Sequence, residues 1–160
     1  MNKAYLLTGG NEGDRYRNMQ QAQTNIEHIC GQLLQVSSLY ETAAWGNTDQ
    51  PDFLNRVLVV ATKLRPQELM KAIFLIEEKG GRRRSLRNAP RTIDIDILFY
   101  DGVILDEPGL IIPHPRIADR RFVLEPLNEI ASGLIHPVFQ KTISRMLAEC
   151  KDELTVKKIE

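Results

Sequence analysis

The chain predicts an α+β fold, an antiparallel sheet with helices packed against it, and three observations carry that prediction. Apolar runs bounded by glycine, proline and asparagine read as strands. Two other stretches, with apolar residues three and four apart, read as amphipathic helices. These segments follow one another as strand, helix, strand, strand, helix, strand. At 160 residues the chain is long enough for one ordinary domain with a real core, and residues 1–160 are expected to form a single domain.

Residues 4–8 form a short apolar run stopped by Gly9-Gly10, read as a tight turn out of the strand. After the polar NEGD, Met19, Ala22, Ile26 and Ile29 recur at helical spacing. Residues 36–42 and 53–63, rich in β-branched and aromatic residues, predict two strands. AAWGNTDQPD separates them and is long for a hairpin loop. Pro66 suits the first turn of a helix, and Leu69, Ala72, Ile73 and Ile76 give it an apolar stripe up to Gly80-Gly81. An arginine-rich segment then leads into RTIDIDILFY, residues 91–100. Strand alternation there puts Arg91, Ile93, Ile95, Ile97 and Phe99 on one face and Thr92, Asp94, Asp96, Leu98 and Tyr100 on the other. The resulting βαββαβ order is that of the ferredoxin-like sandwich, with its helices on one face of the sheet. A C-terminal extension follows: a loop with two prolines at 111–115, a short apolar segment in RRFVLEPLNEIA, and a closing helix marked by Ile143, Met146, Leu147 and Cys150.

Lys and Arg (21) balance Asp and Glu (21), so no general electrostatic attraction to nucleic acid or anionic membrane is expected, and any anion site must be local. Cys30 and Cys150 match no metal or redox spacing and read as ordinary thiols of a reduced, cytoplasmic protein. No stretch approaches the roughly 18 consecutive apolar residues of a membrane span, and no signal-type apolar run opens the chain. No oligomerisation stripe is evident, so a monomer is expected.

The densest chemistry lies where the arginine-rich segment runs into the strand with the paired aspartates, residues 82–96. Asp94 and Asp96, side by side on a strand, repel by a few kcal/mol at about 5 Å unless a cation lies between them. Magnesium suits such a pair, because it takes one or two carboxylates, keeps waters and accepts phosphate oxygens. A bare DxD on its own reads more simply as a strand facing water. Next to it, however, Arg82, Arg83, Arg84, Arg87 and Arg91 fall within ten residues that contain no acid. Guanidinium forks match phosphate oxygens, and a phosphate-binding segment running into a metal-binding strand is the pairing that phosphoryl transfer needs. GxxxxGK[ST] is absent, which excludes a P-loop kinase. Phe53 and Asn55 share a strand face, as an aromatic plane and an amide would in a pocket for a flat heterocycle, although each alone reads as a core or strand-end residue. His114, between two prolines, is placed to donate to a phosphate. Two other functions remain open on these residues: another Mg-dependent nucleotidyl- or phosphoryl-transfer enzyme, and a ferredoxin-like module binding RNA through the arginines.

In order and spacing, SSLYET, DQPDFLN, GRRR, PRTIDIDIL, IPHPR and RRFVLEPLNEIA resemble the 6-hydroxymethyl-7,8-dihydropterin pyrophosphokinase family of folate biosynthesis, from near Tyr5 to about Ala131. The resemblance implies transfer of the β,γ-diphosphate of ATP, as co-substrate, to the hydroxymethyl group of the reduced pterin, with release of AMP. It implies that Asp94 and Asp96 hold two Mg2+ ions and that Arg82 and Arg91 assist transfer. Glu77, Arg84, Arg91, His114 and Arg120 then fall on the ATP side. Thr42, Ala43, Trp45, Phe53, Asn55 and Phe122 fall on the pterin side, with Asn55 at the ring edge and Phe53 and Phe122 on its two faces. The chain departs from the family pattern at three places. Asn88-Ala89 stand where a tryptophan and glycine are common, Phe74 replaces a polar residue of some relatives, and Ala43-Ala44 replace prolines.

Overall fold

A computed structural model describes residues 1–43, 49–81 and 92–159. The chain runs β1 (Asn2–Gly10), α1 (Arg15–Ile29), β2 (Gln32–Val36), β3 (Tyr40–Thr42), β4 (Phe53–Thr62), α2 (Pro66–Lys79) and β5 (Asp94–Tyr100). A small hairpin of β6 (Leu105–Glu107) and β7 (Leu110–Ile112) follows, then a 3-10 turn (Ile117–Asp119), α3 (Arg121–Ala131), α4 (Ile143–Glu149) and β8 (Val156–Lys158). The main sheet has the order β5-β1-β4-β3-β8, with β2 also paired to β4, and its pairings are antiparallel.

This is the βαββαβ plan with its second strand divided in two. The expected strand over 36–42 instead begins at Gln32 and breaks between Val36 and Tyr40, where Ser37 Oγ accepts the Val57 N–H at 2.9 Å and bonds in place of the ladder. The first strand also extends further than expected. Gly9 and Gly10 lie within β1, and the turn is made by the next four residues, with Gly13 at φ 73° and Asp14 accepting the Arg17 N–H to cap α1.

One sheet face carries Ala4, Leu6, Leu58, Val60, Ile95 and Ile97, packed against Met19 and Ile26 of α1 and Leu69, Ile73 and Ile76 of α2. The helices of the βαββαβ unit therefore share a face, as expected. The C-terminal extension builds a further layer on the other face, where Tyr5, Leu7, Val57 and Val59 pack against Val123, Leu124 and Leu127 of α3 and Ile143 and Met146 of α4. The chain then returns to the sheet as β8 beside β3, a strand too short and too lysine-rich to read from the sequence.

A bulge corrects the alternation expected along 91–100. Pairing to β1 shifts between Tyr5↔Phe99 and Leu6↔Ile97, which leaves Leu98 as the extra residue. Ile93, Ile95 and Ile97 keep the face of α1 and α2, but Phe99 crosses to the face of α3 and α4 and Tyr100 moves the other way. Asp94 and Asp96 precede the bulge and stay on one face, opposite Gly9 and Leu7.

Candidate functional site

The register of three strands builds the site. Gly9 is directly opposite Asn55 of β4 on one side and Asp94 of β5 on the other, and Leu7 is likewise between Val57 and Asp96. Leu7 and Val57 belong to the face covered by α3 and α4. Toward Gly9 that cover gives out, so the Asn55–Gly9–Asp94 row borders a cavity of about 130 Å³ instead of a core. Gly9 is needed here for space: a Cβ on it would overlap Asn55 Oδ1 and stand 3.1 Å from the Leu54 carbonyl oxygen.

The cavity gathers eight of the residues singled out from the sequence. Thr42, Ala43, Phe53, Asn55 and Phe122 line it together with Asp94, Asp96 and Arg120. Thr42 closes β3 at 3% exposure, and among the described residues its buried Oγ1 has no hydrogen-bond partner. A buried hydroxyl without a partner costs about 1–3 kcal/mol, which a polar atom on a bound ring edge would remove. Asn55 is also buried. Phe122 stands in the first turn of α3, whose N-cap is Arg120, and the Arg120 guanidinium lies 5.7 Å from the Phe122 ring centre. One short segment thus presents an aromatic face and a fixed positive charge.

β5 is an edge strand of the main sheet. A second groove runs there between Met70, Ile73 and Phe74 of α2 and Ile111, His114 and Pro115, and it too reaches Asp96. Asp96 therefore borders both the aromatic-lined cavity and a largely apolar groove, while Asp94 borders the cavity. His114 is set in place by its own N–H, which donates to the Leu98 carbonyl at 3.0 Å, and its Nδ1 accepts the Arg116 N–H at 3.1 Å. Burial, with Arg120 assisting and Asp94 opposing, pushes its pKa down to about 4. At neutral pH the ring is uncharged, and with Nδ1 accepting, its Nε2–H is a donor.

Glu77 lines neither space among the described residues. It is buried on α2 at 2% exposure, and its carboxylate accepts the Ile95 N–H at 2.8 Å. Ile95 stands between the two aspartates, so this hydrogen bond ties the backbone of the pair to α2. Trp45, Arg82, Arg84 and Arg91 lie outside the described residues, as do Ala44 and Asn88-Ala89. Among the described residues no group of three or more His, Cys, Asp or Glu side chains forms a metal cage. Asp94 and Asp96 nevertheless suit a cation that keeps its waters and takes further oxygens from a ligand. Reading the sequence missed Leu7, Gly9 and Gln50, which also line the cavity. The signal for Gly9 was the pair in TGGNEGD, whose place beside Asn55 and Asp94 only strand pairing reveals.

Comparison with known proteins agrees with this architecture. The 2-amino-4-hydroxy-6-hydroxymethyldihydropteridine pyrophosphokinase of Aquifex aeolicus is 39% identical over 157 residues, spanning 98% of this chain and 95% of that protein. The folic acid synthesis protein FOL1 of Dictyostelium discoideum is 40% identical over 145 residues, 91% of this chain but only 22% of that longer protein. The crystal structure of Plasmodium falciparum HPPK-DHPS superposes with a TM-score of 0.74 over 93% of this chain and 43% of that one, and at 19% identity it attests the fold. Residues 5–132 match the family described as 7,8-dihydro-6-hydroxymethylpterin-pyrophosphokinase (HPPK), and the chain belongs to that family of enzymes.

Proposed function

We propose that this chain transfers the β,γ-diphosphate of ATP to the hydroxymethyl group of 6-hydroxymethyl-7,8-dihydropterin, releasing AMP, as a step of folate biosynthesis. The observation that carries this reading is that Asp96, with Asp94 beside it, borders both a cavity lined by Thr42, Phe53, Asn55 and Phe122 and the groove over the β5 edge. A flat ring and a nucleotide bound in these two spaces would bring hydroxymethyl group and polyphosphate together at the carboxylate pair. In the transfer the hydroxyl oxygen bonds to the β-phosphorus, the bond from that phosphorus to the bridging oxygen of AMP breaks, and the hydroxyl proton is lost.

The chain's own part is positioning and charge. Phe53 and Phe122 hold the ring by its faces, while Asn55 and Thr42 read its edge. Asp94 and Asp96 are the proposed ligands of two Mg2+ ions, which when bound supply positive charge to the phosphates and favour the ionised hydroxyl. Arg120 adds charge at the rim, and His114, uncharged, donates a hydrogen bond to a phosphate oxygen. Arg82, Arg84 and Arg91 are proposed to meet the triphosphate, with Arg82 and Arg91 balancing charge on the departing and transferring groups. Ala43 and Trp45 complete the pterin side, and Glu77 serves the nucleotide side through the backbone of β5. The balanced net charge argues against nucleic-acid or membrane partners and for an enzyme acting on these two small molecules; the proposed enzyme is a single-domain monomer of the cytoplasm. No described helix is long and apolar enough to cross a membrane.

Product identification with ATP, Mg2+ and the reduced pterin tests the reading. AMP forming in step with a pterin two phosphates heavier is the expected result. ADP with a singly phosphorylated pterin would keep the site and overturn diphosphate transfer. No pterin-dependent turnover would overturn the function.

A further inference from the structure

The stretch TGGNEGDR, residues 8–15, carries two side chains that the proposed reaction leaves without a role. Asn11 directly follows β1 and is 1% exposed. Its amide donates to Gln50 Oε1 at 2.9 Å and to the Pro51 carbonyl at 3.0 Å. Arg15 opens α1, and its Nη1 donates to Glu41 Oε2 at 2.6 Å and to the Asp52 carbonyl at 2.9 Å. The four acceptors frame one wall of the ring cavity. Glu41 precedes Thr42 in β3, Gln50 itself lines the cavity, and Pro51 and Asp52 lead straight into Phe53. β4 begins at Phe53, so Pro51 and Asp52 come before its ladder, and side-chain donors hold their carbonyls. Neither Asn11 nor Arg15 lines the cavity or the groove over β5.

We infer that Asn11 and Arg15 are positioning residues for ring binding, fixing Thr42, Gln50 and Phe53 as one wall. A wall held in its bound geometry spares the ligand the cost of ordering it, so loss of the clamp weakens binding of the flat ring. The nucleotide groove is lined from β5, α2, β7 and the segment after it, and none of the clamp's four acceptors lies on those elements. The inference rests on the pterin reading above, and it gives the polar turn after the first strand a function that composition alone did not suggest.

The test uses Asn11→Ala, Arg15→Met and Arg15→Lys in the full chain, with initial rates measured against pterin and against MgATP. Pterin affinity is measured by equilibrium fluorescence, and melting curves are recorded alongside. Asn11→Ala and Arg15→Met are expected to raise the pterin KM and Kd about tenfold, with kcat and the KM for ATP within about twofold of the parent. Arg15→Lys, whose ammonium can still meet Glu41 and the Asp52 carbonyl, is expected to recover most of the loss. Unchanged pterin affinity in folded variants overturns the inference. So does a parallel loss of kcat and of ATP and pterin binding, because a merely structural role predicts that pattern. If Asn11→Ala does not fold, Arg15→Met, a partly exposed site, decides alone. A parent protein without pterin-dependent AMP formation overturns the functional reading instead, whereas an active parent with unaffected variants overturns only the clamp.

Discussion

Single residues in this chain divide between those that line the proposed ligand spaces and those that hold them in place. Asp96 borders both the ring cavity and the groove over β5. Asp96→Ala is expected to lower turnover by at least about 10³-fold, since metal and oxyanion-type charge stabilisation contributes on that scale, while the melting temperature stays near that of the parent. Near-normal turnover in the folded variant would remove the metal assignment. Asn55→Ala and Phe122→Ala should act differently, raising the pterin KM more than they lower kcat, because they line the cavity proposed for the ring and not the path of the transferring phosphates. A fall in kcat alone would mean that the two pockets are exchanged.

A histidine away from the site gives the pH dependence. His136 is buried, stacked on Phe139 and edge-on to Phe99, and its Nδ1 accepts the N–H groups of Val138 and Phe139. Burial holds its pKa below the ordinary value of about 6.5. Its folded pKa is thus lower than its unfolded one, and between the two the unfolded chain binds more protons. The stability it contributes is complete above about 6.5 and is lost as the pH falls below that value. Urea unfolding at pH 7.5 and 5.5 should therefore show a larger acid loss in the parent than in His136→Gln. Equal losses in both proteins would exclude the assignment.

At the scale of elements, the tie between α2 and β5 carries most of the consequence. The Ile95 N–H finds its acceptor in a helix carboxylate, so the register of the aspartates against the groove depends on Glu77. Glu77→Leu should cost about 1–3 kcal/mol for the buried N–H left without a partner and should also slow turnover, while Glu77→Gln keeps an acceptor and should retain most of both. A stable but slow Glu77→Gln would point to a direct role of the negative charge. The bulge at Leu98 works in the same strand: it sends Phe99 to the layer of α3 and α4 without disturbing the two aspartates before it.

For the whole molecule, the layer of α3 and α4 is what turns a two-layer unit into a fold with a site. It covers one end of a sheet face and leaves the other end open, and the cavity is that open end. Ile143 is fully buried in this layer, away from the cavity. Ile143→Ala is expected to destabilise by about 2–5 kcal/mol, read by urea unfolding, with pterin and ATP affinities unchanged at temperatures where the variant is folded. Weakened ligand binding in the folded variant would show that the layer shapes the site more directly than its packing suggests.

Much of this was legible in the sequence because it is local. The periodicities of Met19, Ala22 and Ile26 and of Leu69, Ile73 and Ile76 are set by helix geometry, and the βαββαβ succession follows from counting the runs along the chain. The paired aspartates were legible because adjacent alternate positions share a face in any strand. What depended on pairing was not legible. Gly9-Gly10 read as a turn because glycine pairs usually are, and only the β1–β4 and β1–β5 registers put Gly9 between Asn55 and Asp94, where the absence of a side chain makes room. Strand alternation likewise placed Phe99 with the isoleucines, whereas a bulge set by the neighbouring strand moved it. Short-range sterics and side-chain period made the βαββαβ order, the carboxylate pair and the aromatic–amide pair readable from the chain alone, but not the split of the second strand or β8. The tertiary structure decided which sheet face each layer covers, where the cover ends, and that Asn11 and Arg15 reach the wall before Phe53, since these contacts join residues far apart in the chain.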